Sequence, residues 1–347
     1  MPEDDLDLAT ERLYRELGAR AVINCAGAYT ILGGSQISPA VRAAMEAANH
    51  RFADMQALQD GSGRVVAQML GAEAAYVTAG AAAALTLATA ACLTKDHRDY
   101  LERLPDTSGI PNEVVVQKSA RQKYDHCLTI PGARLVEAVI EVAHAAGVPV
   151  IVDAAGLTYP LDNLRRFTRL GADLVCYAGK YFDAPQSTGL LVGRRDLVEM
   201  AAINGFVGFE SSGYHTIGRP MKVDRQEIAG CVAALREWLA LDHEARFTLY
   251  GERIDVILRA VKGLPGVEAY RISERETPTP MLRDGLRLKL ESPQRAAAVV
   301  QALRDGDPCI WARQDDRPRD GVNLSVAYLQ DGDAALIARR LREVLGA

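Results

Sequence analysis

Positive charge is in short supply: 40 Lys and Arg stand against 45 Asp and Glu, for a formal net charge of −5 and a pI near 5.8. A dedicated polyanion binder gains its affinity by neutralising phosphates with Lys and Arg, so this balance argues against nucleic acid as a partner. Paired cysteines are missing as well. Cys25, Cys92, Cys127, Cys176, Cys231 and Cys309 are scattered, with no CxxC pair and no histidine at zinc-ligand spacing. Neither a disulfide framework nor a metal site is indicated, and reduced thiols are expected. The opening Met-Pro-Glu-Asp-Asp is acidic where a secretory leader would carry positive charge before an apolar stretch. A cytoplasmic location is therefore expected.

Long apolar runs are scarce too. One segment, Ala74 to Leu93, has twenty residues without a charge, enough on paper to cross a bilayer. It is built from Ala and Thr more than from Leu, Ile and Phe, and Gly80 divides it into a β-like half and an Ala-rich helical half. The pattern predicts strand, glycine turn and buried helix, with no membrane span. What remains is ordinary: 347 residues at 48% hydrophobic and 24% charged suit a large domain with a smaller companion.

Ser38-Pro39 starts a helix, with a capping hydroxyl followed by proline at the first helical position. A second helix covers Met55 to Leu70 and stops at Gly71. Beyond the Ala-rich helix come a strand at Glu113 to Gln117, a helix at about Leu135 to Ala146 and the strand Val148 to Asp153. A further helix, Leu161 to Leu170, leads to the strand Asp173 to Tyr177 and then Gly179-Lys180. Apolar strands separated by helices predict an α/β sheet, mostly parallel and covered on both faces. Asp224 to Val261 reads as nearly continuous helix with a break at Gly251. The last ninety residues, with strands at Val267 to Ile272, Leu286 to Leu290, Cys309 to Arg313 and Val322 to Ala327 and helices at Pro293 to Leu303 and Ala334 to Leu345, form an α+β unit. The expected division is an N-terminal arm and first helix at 1–50, a large domain at 51–240 and a small domain at 241–347.

In a parallel α/β sheet, functional groups collect beyond the carboxyl ends of the strands. Three such ends carry suggestive residues. At Thr78-Ala79-Gly80-Ala81 a strand turns into a helix whose free N–H groups can hold a phosphate, or which is merely a turn; the spacing matches neither GxxxxGK nor GxGxxG. Asp153 ends an apolar strand, where it can hold a protonated heterocyclic nitrogen or cap the next turn. Lys180, twenty-seven residues on, is a Schiff-base former or a solvated lysine. Together the three supply the phosphate anchor, the pyridinium partner and the covalent lysine that pyridoxal 5′-phosphate (PLP) requires.

From about Leu17 to Glu237 the chain also resembles the selenocysteine-synthase-like group of fold-type-I PLP enzymes, which includes the L-seryl-tRNA selenium transferases and the D-glucosaminate-6-phosphate ammonia-lyases. The resemblance is carried by Arg20-Ala-Val-Ile-Asn24, Leu32-Gly-Gly-Ser35, Gly71 to Gly80, Gln117-Lys118, Tyr124-Asp125-His126, Val150 to Asp153, Gly179-Lys180, Pro185-Gln-Ser-Thr-Gly189 and Gly218-Arg-Pro-Met-Lys222, several of them specific to the ammonia-lyase-like branch. It implies an aspartate aminotransferase-like fold, with a mostly parallel seven-stranded-type sheet and a smaller C-terminal α+β domain. It also implies Lys180 as the covalent lysine, Asp153 at the pyridine nitrogen, Thr78, Gly80 and Ala81 around the phosphate, and Gln186 and Ser187 lining the cofactor. Arg219 and Lys222 become candidates for a substrate carboxylate or phosphate, or form a solvated pair. Asn24, Tyr29 and Thr30 belong to a segment that would close over the pocket.

Departures accompany the match. Gln117-Lys-Ser-Ala120-Arg121 lacks the histidine that the family carries near the ring, leaving Tyr124 or His126 to stack on it. After Glu137 the family pattern has a further strand before the next helix, and this chain runs straight on. Either a strand is lost or residues are missing from the sequence; a central parallel strand is hard to delete, and a covalent junction requires Leu135 to Ala146 to form one helix. The expected activity is a lyase that deprotonates Cα of a small amino acid or amino-sugar acid, eliminates a β-substituent and releases ammonia and an oxo acid. The alternatives are a racemase, an aminotransferase, a selenium transferase-like enzyme and a non-catalytic binding protein. A homodimer or higher homo-oligomer is expected, because related pockets span a subunit interface.

Overall fold

A computed structural model describes residues 3–95, 97–118, 121–137, 143, 146–276, 284–315 and 318–346. Along the chain, α1 (Glu3–Glu16) and β1 (Ile23–Asn24) precede α2 (Pro39–His50), α3 (Met55–Leu70), β2 (Ala74–Thr78) and α4 (Gly80–Thr94). Then come β3 (Glu113–Val116), α5 (His126–Thr129), β4 (Arg134–Glu137), β5 (Ile151–Asp153), α6 (Asn163–Arg169), β6 (Leu174–Ala178) and β7 (Gly189–Gly193). Four helices follow, α7 (Arg195–Asn204), α8 (Phe206–Ser211), α9 (Arg225–Ala240) and α10 (His243–Val261). The chain ends in β8 (Val267–Ile272), β9 (Gly285–Leu290), α11 (Pro293–Asp305), β10 (Ile310–Trp311), β11 (Arg313–Gln314), β12 (Gly321–Ser325) and α12 (Asp333–Leu345). Two compact units result: Gly33–Leu241, and Met1–Leu32 together with Asp242–Ala347.

The larger unit is built on a four-stranded sheet in the order β2-β7-β6-β5, in which β7 runs antiparallel to both neighbours and β5 parallel to β6. Alternation along the strands sends side chains to opposite faces. Tyr76, Cys176 and Leu191 pack against α4 and α7, while Val77, Val175, Leu190 and Val192 pack against residues of α2, α3 and α9. The Ala-rich helix is α4, buried without interruption from Ala83 to Ala91, as a helix apolar on every side must be. Its predecessors begin and end as their sequences dictate. The Ser38 hydroxyl accepts the Val41 N–H at 3.1 Å to start α2, and Gly71 closes α3 in the left-handed conformation (φ 66°).

Two expectations change. Leu135 and Val136 lie in β4, which pairs in parallel with β3 opposite Val114 and Val115, so residues 134–137 are strand instead of the start of a helix. β-branched and aliphatic side chains fit that pleated pairing better than an isolated helical turn. The junction from Glu137 to Ile140 otherwise lies outside the described residues, as do Ser119 and Ala120. The described strands of this unit form the four-stranded sheet and a β3-β4 pair. The long C-terminal helical stretch breaks at Leu241 and Asp242 and not at Gly251, because the Asp242 carboxylate accepts the N–H groups of Glu244 and Ala245 at 3.0 Å and starts α10 afresh.

The smaller unit holds an antiparallel sheet in the order β11-β12-β9-β8, with Leu286, Leu288, Val322 and Leu324 packed against residues of α10, α11 and α12. The expected strand Cys309 to Arg313 divides at Ala312 into β10, which pairs with β1, and β11, which pairs with β12. Cys25 is fully buried in this core; its N–H donates to the Trp311 carbonyl and its carbonyl accepts the Ser325 N–H, both at 2.9 Å.

Candidate active site

The strand directions put four chain ends on one edge of the larger sheet. β2, β6 and β5 all finish there and β7 starts there, since Thr78 pairs with Gly189, Gly189 with Ala178, and Asp153 with Cys176. Thr78, Asp153 and the Gly179-Lys180 turn therefore share the carboxyl edge, where open α/β sheets bind their ligands.

At the first of these ends, Thr78 is buried and its hydroxyl donates to the Gly80 carbonyl at 3.0 Å. Gly80 adopts φ 84°, a left-handed conformation that disfavours any side chain, and turns the chain into α4. Ala79 at the N-cap offers no side-chain acceptor, and Ala82 on the first turn is exposed. That turn keeps N–H donors and the positive end of the helix dipole for an anion. Gly189 seats β7 against it: a Cβ there would lie 2.5 Å from the Gly80 carbonyl carbon and 2.7 Å from the Ala81 nitrogen. The first-turn N–H groups of α4 thus lie at this edge.

Asp153 is exposed, and both its oxygens accept a hydrogen bond at 3.1 Å, Oδ1 from the Ala155 N–H and Oδ2 from Gln122 Nε2. Lys180 sits half-buried in the 3-10 turn Gly179–Phe182, its Nζ 5.2 Å from the centre of the Tyr181 ring. The turn is pinned by the Gly179 N–H donating to the Thr188 carbonyl at 2.8 Å, and Gly179 has no room for a side chain beside the Thr188 hydroxyl. An acceptor carboxylate, an amine and an anion cradle on one edge fit the chemical groups of PLP.

The other predicted residues are placed as follows. Gln186 and Ser187 lead into β7; the Ser187 hydroxyl donates to the Glu227 carboxylate, and the buried Gln186 Oε1 has no protein partner. Tyr124 and His126, both exposed, follow the turn that Gln122 ties to Asp153, with the Lys123 ammonium 5.1 Å from the Tyr124 ring. Arg219 pairs with Glu210 at 2.8 Å and lies 6.0 Å from the Phe209 ring, while Lys222 is exposed. Neither is tied to the strand ends by a described contact. In the smaller unit, Asn24 is occupied locally, its side chain donating to the Gly27 carbonyl at 3.0 Å and accepting the Ala26 N–H at 2.8 Å. Tyr29 carries the Arg313 guanidinium over its ring at 5.1 Å, and Thr30 is exposed.

Two residues at this edge were not singled out as candidates. Gly189 could have been, because it closes a Pro-Gln-Ser-Thr-Gly run just before an apolar strand. Gln122 gives no local signal, since its partner lies 31 residues away.

Comparison with known proteins agrees with this architecture. No family model matches the chain. It is 28% identical to the D-glucosaminate-6-phosphate ammonia lyase of Salmonella typhimurium over 381 positions, covering 96% of this chain and 98% of the relative. A 5′-C-glycyluridine monooxygenase-decarboxylase from a Streptomyces is 29% identical (96% and 92% covered), and the L-seryl-tRNA(Sec) selenium transferase of Moorella thermoacetica 27% (96% and 84%). A solved D-glucosaminate-6-phosphate ammonia-lyase superposes with a TM-score of 0.79 at 26% identity, covering 96% of this chain and 98% of that one. A serine palmitoyltransferase solved with PLP gives 0.58 at 14% identity, covering 94% and 88%. The fold is that of the fold-type-I PLP enzymes.

Proposed function

We propose that the chain is a PLP-dependent carbon–nitrogen lyase acting on a small amino acid or amino-sugar acid, with release of ammonia and an oxo acid. The observation that carries this reading is the common sheet edge of Thr78, Asp153 and Lys180, in a chain related across almost its whole length to an ammonia lyase. Bound PLP supplies an electron-accepting ring conjugated to the substrate amine.

The protein's part is to hold and to move protons. The first turn of α4, with Thr78, Gly80 and Ala81, binds the phosphate, and Gln186 and Ser187 line its approach. Asp153 would keep a proton on the ring nitrogen through its carboxylate. Lys180 would hold the cofactor through Nζ, and the same amine, when freed, would be the group that accepts the Cα proton. Nζ would pass that proton to a departing β-hydroxyl, which leaves as water, and a second water would release ammonia and leave a 2-oxo acid, so the reaction requires no external oxidant. Arg219 and Lys222 are the candidates for the substrate's carboxylate or phosphate. The enzyme is taken to be a cytoplasmic homodimer, with Tyr124 or His126 stacking on the ring.

Adding PLP should produce a visible absorption band, and Lys180→Ala should abolish borohydride-fixable cofactor; a protein that takes up no PLP refutes the reading. Assays of ammonia and oxo acid over D- and L-β-hydroxy amino acids and amino-sugar acids identify the lyase. A second reading, cleavage at the Cα–carboxylate bond, is favoured by the likeness to the monooxygenase-decarboxylase, and carbon dioxide release in the same panel separates the two. Light scattering giving an active monomer would remove the dimer.

A further inference from the structure

We propose that Gln122 is a positioning residue for Asp153: it fixes the direction of the carboxylate assigned to the cofactor ring nitrogen. The proposal rests on the PLP reading above.

The polarity of the Gln122 amide is set from one side. Gln122 opens a tight turn in which the Asp125 N–H donates to the Gln122 backbone carbonyl at 3.1 Å and the Asp125 carboxylate accepts the Gln122 N–H at 3.3 Å. An ionised carboxylate can only accept, so the NH2 end is what faces Asp153, and Nε2 stands 3.1 Å from Oδ2. The opposite oxygen takes the Ala155 N–H at 3.1 Å, so the carboxylate is gripped at both ends while each oxygen keeps a lone pair.

The grip has a foundation in the core. Thr86 is buried in α4, and its hydroxyl donates to the Cys127 carbonyl at 2.9 Å, holding α5 and the turn before it against the helix that carries the phosphate cradle. Arg121 also pairs with Asp125. One chain of contacts thus runs from α4 through α5 and Gln122 to Asp153. A neutral amide suits the task better than a cation: it orients the carboxylate without adding a positive charge to compete with a protonated ring nitrogen.

Two variants have opposite expectations under positioning and under simple support of the turn. Gln122→Glu keeps the side-chain length but sets a second carboxylate against Asp153, whereas Gln122→Ala loses the side chain and its donor together. If Gln122 positions Asp153, the Kd for PLP rises about tenfold in Gln122→Ala and further in Gln122→Glu. If the Gln122 side chain merely packs to support its turn, Gln122→Glu stays near wild type and Gln122→Ala is the weaker binder, which overturns the proposal. Melting of each cofactor-free variant checks folding. Wild-type protein in the same titration separates the two ideas: no uptake by wild type sinks the PLP reading and this one with it, while normal uptake with unchanged variants sinks this one alone.

Discussion

At the scale of single residues, the carboxyl edge depends on one missing side chain. Gly189→Ala would place its Cβ 2.5 Å from the Gly80 carbonyl carbon and 2.7 Å from both the Ala81 nitrogen and the Tyr177 oxygen, all backbone atoms that cannot rotate away. The turn into α4 must shift, at a cost of about 2–3 kcal/mol in stability. Loss of PLP affinity should exceed the loss of thermal stability, which a cofactor titration beside a melting curve will test. The thiols are quiet for the opposite reason, too much surrounding protein. Burial pushes Cys92 and Cys231 up to about 12 and raises Cys25 and Cys176 as well, which leaves little thiolate at neutral pH. Ellman's reagent should therefore react far more slowly with native protein than with protein in denaturant; fast titration of these thiols in the native state would contradict their burial.

At the scale of elements, Arg194 joins the end of β7 to the start of α7. Its guanidinium reaches Asp173 at 2.8 Å and Asp196 at 2.7 Å, and the Asp173 carboxylate, 8% exposed, also accepts the Val150 N–H at 2.8 Å ahead of β5. Arg194→Met takes the cation from a buried carboxylate and should cost about 2–3 kcal/mol, read as a melting temperature lower by about 5 °C. Arg194 also holds the Asp196 carboxyl below the usual carboxylate range, chiefly through their hydrogen bond. Its folded pKa lies below the unfolded one, so the contribution is present above about pH 4 and lost as pH falls through the folded value. Asp196 is exposed, which limits that contribution to about 0.5 kcal/mol.

The same elements show what local sequence can carry. Ser38-Pro39, Gly71 and the Ala74 to Thr78 run were legible because a cap, a left-handed glycine and an apolar run each act within a few residues. Asp153 and Lys180 were legible as strand ends. The Asp242 cap was hidden inside an amphipathic stretch that continues across it, and β7 was hidden by its brevity and its flanking glycines. Pairing also escaped. Leu135 and Val136 suit helix and strand alike until Val114 and Val115 are brought alongside, and the link from Gln122 to Asp153 leaves no period to read.

At the scale of the whole molecule, the smaller unit is made from the two ends of the chain. Residues 23–25 are an inner member of it, bonded to the Cys309 and Trp311 carbonyls and to the Ser325 N–H, each at 2.9 Å. Removing residues 1–32 should unfold or strongly destabilise the unit that continues at Asp242, whereas removing residues 1–20 spares β1 and Cys25 and should cost much less. Calorimetry of the two truncations checks the difference, and equal losses would mean that the buried strand contributes nothing.

The same arrangement imposes an order on synthesis. Every residue of Gly33–Leu241 has been translated before the first residue after β9 that Ile23 or Cys25 bonds to exists. At a rate of about 5–20 residues per second, β1 waits roughly 15–60 s for β10. The larger unit can close on the nascent chain while an apolar segment at the leading end stays unburied. Completion of the smaller unit waits for the residues after Leu241, so it assembles only once the whole of the larger unit has been made.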